Sequence, residues 1–163
     1  MSLSKSLILA LFITLPGLGH AVQKAGAVLV KKSEKKMYLL SGTQVLRAFD
    51  VVFGANPRGH KMQEGDERTP EGKYTLDYKK ADSSYYKAIR ISYPNAQDIN
   101  SAKARGVNPG GQIMIHGQRN GFGWLYFVTQ RFNWTNGCIA VSDAEMEEIW
   151  QAVEAGTPIE IQP

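Results

Sequence analysis

The chain has 163 residues, 43% of them hydrophobic and 21% charged, a composition that fits one globular domain and excludes a disordered or fibrous protein. The formal net charge is +4, and the basic residues are scattered apart from Lys31-Lys32 and Lys35-Lys36. The concentrated basic face of a nucleic-acid binder is therefore missing, and a single cysteine, Cys138, excludes a disulfide framework.

Residues 1–21 read as a secretory signal that stands outside the globule. Lys5 supplies the charge, Leu7 to Leu15 form the apolar run, and Pro16, Gly17 and Gly19 break it. Gly19-His20-Ala21 suits cleavage, which makes Val22 the start of a mature domain over residues 22–163. The apolar run is short for a spanning helix, which needs about 20 residues. The expected location is the periplasm or cell envelope.

The domain opens with strand-like runs at Ala27–Val30, Met37–Leu40 and Val45–Phe53, separated by polar turns at Ser33–Lys36 and Ser41–Gln44. This spacing predicts an antiparallel meander. Gly54 to Glu71 is a long connection rich in Gly, Pro and charge, of the kind that is usually functional. His60 lies in it and reads as a surface residue. Tyr74–Tyr78 and Ile89–Ser92 read as strands, Asn95–Arg105 as a short polar helix ended by Gly106, and Gln112–His116 as a strand after the turn Asn108–Gly111. The clearest helix is Asp143–Ala155. Ser142 and Glu145 form a capping box, and Met146, Ile149, Trp150 and Val153 make one apolar stripe. Gly156 is placed to stop it, and Pro158–Ile161 is a last strand. The sum is a mainly β fold with one or two helices.

A lone thiol in an exported chain is buried and inert, linked between chains, or used chemically. The local sequence Thr135-Asn136-Gly137-Cys138 favours chemistry. Gly137 removes bulk beside the thiol, and backbone N–H groups at such a turn can face a developing oxyanion. A protonated thiol needs a base. His116, at the end of an apolar strand and before Gly117, is the candidate. No carboxylate lies near it in sequence, so a backbone carbonyl is the candidate third group. One Cys and two distant His lack metal-ligand spacing, and no cofactor is expected. Arg68, Arg90 and Arg119 could hold a carboxylate by a bidentate fork. Trp124, Tyr126, Phe127, Phe132 and Trp134 are either a pocket wall or core.

His116-Gly117 followed by Thr135-Asn136-Gly137-Cys138 resembles the signature of the YkuD-type L,D-transpeptidases. Gly65–Tyr74, with its Thr69-Pro70-Glu71-Gly72, resembles the threonine-proline-acid-glycine segment of that family, and Ile91–Asn95 and Pro109-Gly110-Gly111 with His116 resemble its proteobacterial YafK-like branch. The resemblance implies a β-sandwich catalytic domain and a cysteine acyl transfer on peptidoglycan stem peptides. Cys138 would attack the carbonyl of the third stem residue and expel D-alanine. His116 would be the base, Gly117 would orient it, and the N–H groups of Gly137 and Cys138 with Asn136 would form the oxyanion site. Trp134 and Thr135 would contact substrate. The thioester would pass to an amine or to water; in the second case the enzyme is an amidase that cuts stems or frees a wall-linked lipoprotein. A wall-binding module with a dead site is the non-enzymatic alternative. The family commonly has histidine where this chain has Asn136, and Arg or Asn where it has Ala140. Neither the acceptor nor the oligomeric state is encoded in a recognisable motif.

Overall fold

A computed structural model describes residues 22–163, so the signal-like segment 1–21 lies outside the described residues. Eight strands form one hydrogen-bonded sheet: β1 Ala27–Lys31, β2 Lys36–Ser41, β3 Gln44–Asp50, β4 Gly72–Lys80, β5 Ala88–Ile91, β6 Met114–His116, β7 Ile139–Ala140 and β8 Thr157–Gln162. Their order is β3-β2-β1-β8-β4-β5-β6-β7. The pairs are antiparallel except β1 with β8 and β6 with β7. Three short α-helices accompany them: α1 Ala96–Ala104, α2 Tyr126–Thr129 and α3 Asp143–Ala152.

The opening meander follows from alternation. Val28 and Val30 on β1, and Met37 and Leu39 on β2, point to one side and are buried, as period-2 patterning requires. The third predicted strand behaves differently. Its regular part ends at Asp50, and Val51–Gly54 are all buried. Val52 exchanges two backbone hydrogen bonds with Ala140, and Gly54 bridges Thr135. The chain leaving one edge of the sheet is thus joined to the strand at the other edge. The two layers expected of a sandwich are parts of this one sheet folded over, and a single apolar cluster fills the space between them.

α3 supplies Met146, Ile149 and Ala152 to that cluster, and its capping box is formed. It stops at Ala152 rather than Ala155, because Val153 turns to extended backbone (φ −99°, ψ 135°) and buries its side chain. Gly156, at φ +94°, instead shapes the turn into β8. α1 begins with a second capping box, Asn95 with Asp98. α2, preceded by a 3₁₀ turn at Gly123–Leu125, has no capping side chain, which is why it left no mark in the sequence.

Buried Lys32 fixes the long connection. Its ammonium donates to the carbonyls of Gly59 and Thr69 at 2.8 and 3.2 Å and to Glu71 at 2.7 Å. Burial pushes its pKa down against the pull of Glu71. Removing one partner of such a pair leaves the other charge poorly solvated. Lys32→Met is therefore expected to lower stability by about 3 kcal/mol in urea unfolding, and to make residues 54–71 the first site of proteolytic cleavage.

Candidate active site

β6 and β7 bring the two candidate side chains, His116 and Cys138, together. Their parallel register pairs Ile115 with Ile139 and His116 with Ala140. Extending it by one residue sets Cys138 opposite Met114, so His116 and Cys138 are diagonal neighbours on one face of the sheet. Both line a cavity of about 400 Å³, with Tyr85, Gln112, Trp134 and Asn136 among its walls. A larger cavity, about 560 Å³, lies between β3 and α3 near Val22 and is lined by neither cysteine nor histidine. Among the described residues no three His, Cys, Asp or Glu side chains cluster as metal ligands.

His116 is buried, and its Nδ1 lies 2.6 Å from the carbonyl of Gly117. A carbonyl can only accept, so Nδ1 carries the proton and Nε2 is left with its lone pair. Gly117 has to be glycine. A Cβ there would come within 2.7 Å of Asp143 Oδ1 and 2.9 Å of the Tyr86 carbonyl. Tyr85 lies against the imidazole at a centroid distance of 4.3 Å, and Trp134 meets it edge-on at 6.0 Å. These rings keep water from the imidazole and so penalise its charged form. The Tyr85-Tyr86 pair carries no motif, so its place beside the base was not readable from the sequence.

Cys138 is half-buried, and its thiol is 3.6 Å from the Gln112 carbonyl. Burial raises the thiol pKa, and the Met114 N–H and the Lys61 charge only partly offset it. Burial lowers the His116 pKa, opposed by its bond to Gly117. Both shifts disfavour a thiolate–imidazolium pair. A preformed ion pair is therefore disfavoured, and the arrangement suits proton transfer coupled to attack.

The turn before the cysteine is built on Thr135. Its hydroxyl donates to the Cys138 carbonyl at 2.7 Å and accepts from Gly137 N–H at 3.2 Å. This corrects the sequence reading on one point. The Gly137 N–H expected in the oxyanion site is taken by Thr135, which leaves the Cys138 N–H and the exposed Asn136 amide as the nearby donors. Gly137 itself, at φ +120°, is required by space, since a Cβ would sit 2.6 Å from the Arg68 carbonyl. Thr135 also borders the cavity, but its hydroxyl is engaged in the turn.

Of the three arginines, none lines the cavity. Arg90 is paired with Asp77, so its fork is engaged. Arg119 is exposed and lies over the Phe122 ring. Arg68 passes behind the nucleophile turn, touching it through its carbonyl. Ala140 is fully buried opposite His116 and offers no polar contact. His60, read as a surface residue, is instead a strut. Its Nδ1 accepts from Glu71 N–H at 3.0 Å, and its Nε2 is 3.1 Å from buried Asp98. Gln118 was also missed. It is buried, donates to the Val141 carbonyl, accepts from Thr129, and its N–H bonds Asp143. Asn136 and Gly111 separate the dyad cavity from a second one of about 330 Å³, lined also by Lys61, Glu64 and Glu67.

Thr135→Val removes the hydroxyl and leaves Gly137 N–H unpaired. It is expected to cost about 1–3 kcal/mol in thermal or urea unfolding and to slow acylation of Cys138, whereas Thr135→Ser restores both.

Comparison with known proteins shows the family of the chain. Residues 25–161 match the family YkuD, described as the L,D-transpeptidase catalytic domain. The Escherichia coli (strain K12) protein named "Putative L,D-transpeptidase YafK" is 33% identical over 112 residues, 68% of this chain and 38% of that protein. The crystal structure of the helical cell shape determining protein Pgp2 from Campylobacter jejuni is 27% identical, with a TM-score of 0.61 over 83% of this chain and 46% of that one. An L,D-transpeptidase from Mycobacterium smegmatis shares the fold at 16% identity and a TM-score of 0.56, over 84% of this chain and 58% of that one. The chain thus spans less than half the length of YafK and of Pgp2. It belongs to the L,D-transpeptidase catalytic domain family.

Proposed function

We propose that this chain is an exported cysteine acyl-transfer enzyme that acts on peptidoglycan stem peptides. The observation that carries the reading is the shared cavity of Cys138 and His116, with His116 Nδ1 committed to Gly117 and Nε2 free as the base. In the reaction, Cys138 Sγ attacks the carbonyl of the third stem residue while its proton passes to His116 Nε2. The oxyanion takes hydrogen bonds from the Cys138 N–H and Asn136; one such donor is typically worth about 10²–10³ in rate. Collapse breaks the amide bond, and the imidazolium returns its proton to the amine of departing D-alanine. The thioester then passes to an amine of another stem, or to water. The signal-like residues 1–21 support export to the periplasm or cell envelope, with Val22 as the mature N-terminus.

A hydrolytic outcome is the second reading, in which the enzyme shortens stems or releases a wall-linked lipoprotein. It is favoured by Asn136, which is exposed at the rim and carries no charge, and by Ala140, whose buried methyl cannot hold an acceptor. Incubation with tetrapeptide muropeptides, followed by mass spectrometry, separates the two: crosslinked dimers mean transfer, and shortened monomers mean hydrolysis. Cys138→Ala is expected to abolish D-alanine release. Release that survives in this variant would overturn the cysteine mechanism, whereas a thiol that forms no adduct with a carbapenem would favour a wall-binding module.

A dyad that is neutral at rest gives a pH signature. The imidazole acts only when unprotonated, and its pKa lies below the ordinary 6.5. Acylation by a carbapenem is therefore expected to rise with pH along a limb below 6.5 and to be level through neutrality. Alkylation by iodoacetamide, which needs free thiolate, should rise only above the ordinary thiol value of 9.0. A low-pH plateau of alkylation would mean a preformed ion pair.

A further inference from the structure

The helical turn from Gly123 to Thr129 presents its apolar side to solvent. Trp124, Phe127 and Val128 fall at i, i+3 and i+4 and share one side of it. All three are exposed, Trp124 at 66% and Phe127 at 53%. The other side carries Leu125 and Thr129, both half-buried, and the Thr129 hydroxyl is bonded to Gln118 at 2.6 Å. This reverses the usual packing of an amphipathic helix, whose apolar stripe turns inward. Phe122, Tyr126 and Phe132 extend the exposed set. Sequence reading left Trp124, Tyr126, Phe127, Phe132 and Trp134 as pocket wall or core. They are not core, and of that group only Trp134 lines the dyad cavity.

The segment is held in place at both ends. Gln118 ties its start to Val141 and to Asp143 at the head of α3, and Asn133 Oδ1 accepts from the Phe53 N–H at 3.1 Å. Six large apolar side chains are thus displayed on a fixed frame between residues 122 and 132. Apolar exposure on this scale in a monomer marks a docking surface.

Charge selects the occupant. From Ile99 to Ser142 the chain has no Asp or Glu. Arg119 lies over the Phe122 ring at 5.9 Å, and exposed Arg131 follows Phe127 by one helical turn. A two-fold contact with a second copy would set these arginines against each other, because both sides of such an interface are the same patch. Aromatic rings with arginines at the rim are instead the residue set of membrane interfaces; the Asp143 carboxylate beside Gly123 is half-buried and accepts from the Gln118 N–H. We propose that Phe122–Phe132 docks on the headgroup region of an anionic bilayer, with Trp124, Phe127 and Val128 entering the acyl boundary and Arg119 and Arg131 against lipid phosphates. This surface does not depend on the chemistry at Cys138, so either reading can fail without the other.

The test is sedimentation of residues 22–163 with vesicles of phosphatidylcholine alone or mixed with phosphatidylglycerol. Binding is expected only to the mixed vesicles, with quenching by brominated lipid that is reduced in Trp124→Phe. The double variant Trp124→Ser, Phe127→Ser should bind at least about tenfold more weakly, since two large side chains leave the lipid. Arg119→Gln and Arg131→Gln should each weaken binding about fivefold, by the usual contribution of a basic residue near an anionic surface. An unchanged thermal midpoint shows that these exposed substitutions leave the fold intact. The proposal is overturned by failure to bind anionic vesicles, or by equal binding of the double variant. It is equally overturned if, without vesicle binding, the double variant loses a concentration-dependent dimer or retention on wall sacculi.

Discussion

The nucleophile turn depends on a close contact between three stretches of backbone. Gly54, Glu67–Arg68 and Gly137 approach so nearly that a Cβ on Gly54 would lie 1.9 Å from the Glu67 carbonyl and 3.0 Å from Gly137 Cα. Glycine at both positions is what allows the long connection to press against the turn that ends at Cys138. The connection is in turn kept there by Lys32 from the strand layer, by His60 reaching Asp98, and by Lys61 with Asp66. Burial pushes the Asp66 carboxyl up, but Lys61 and three backbone N–H groups outweigh it and hold the group below its usual range. A loop that reads as surface is thus a buried support for the site, and its ion pairs orient backbone more than they add net stability.

This arrangement explains why the dyad can be neutral at rest. The walls that fix His116 are Tyr85 and Trp134, and the wall beside Cys138 is strand backbone. Such surroundings penalise both charged forms. The same surroundings make each hydrogen bond to a developing charge stronger than it would be in water. In the proposed dyad the Gly117 carbonyl would stand where a triad has its carboxylate. It fixes the tautomer without stabilising the imidazolium enough to create a standing ion pair, which suits attack on a carbonyl with concerted proton transfer.

What the sequence disclosed follows from how local each cause is. Apolar runs between polar turns located β1 and β2, short strand-like stretches located β4, β5 and β8, and the Ser142–Glu145 box located the start of α3, because these signals lie within a few residues. Cys138 and His116 were legible because Gly137 and Gly117 flank them for steric reasons that leave a motif. The closure of the sheet through Val52 and Ala140 was not legible, since two residues some 90 positions apart carry it. Tyr85, Gln118 and the strut role of His60 were invisible for the same reason: their partners come from other elements. The oxyanion assignment to Gly137 failed because Thr135, two residues earlier, competes for the same N–H, a choice that depends on a side-chain rotamer.

Asn136 and Ala140 connect these constraints to the outcome of the reaction. Ala140 is enclosed between Val52 and His116 at the point where the sheet closes, so a long polar side chain could not be accommodated there without opening the closure. Asn136 is the opposite case: exposed, on the divide between the dyad cavity and the cavity of Lys61, Glu64 and Glu67. In the proposed reaction the first half would draw on groups fixed by the core, and the second half would pass a rim that carries one neutral amide. With nothing on the Ala140 side to hold an acceptor, the fate of a thioester on Cys138 rests on what enters past Asn136. An amine must find its own contacts there, whereas water needs none.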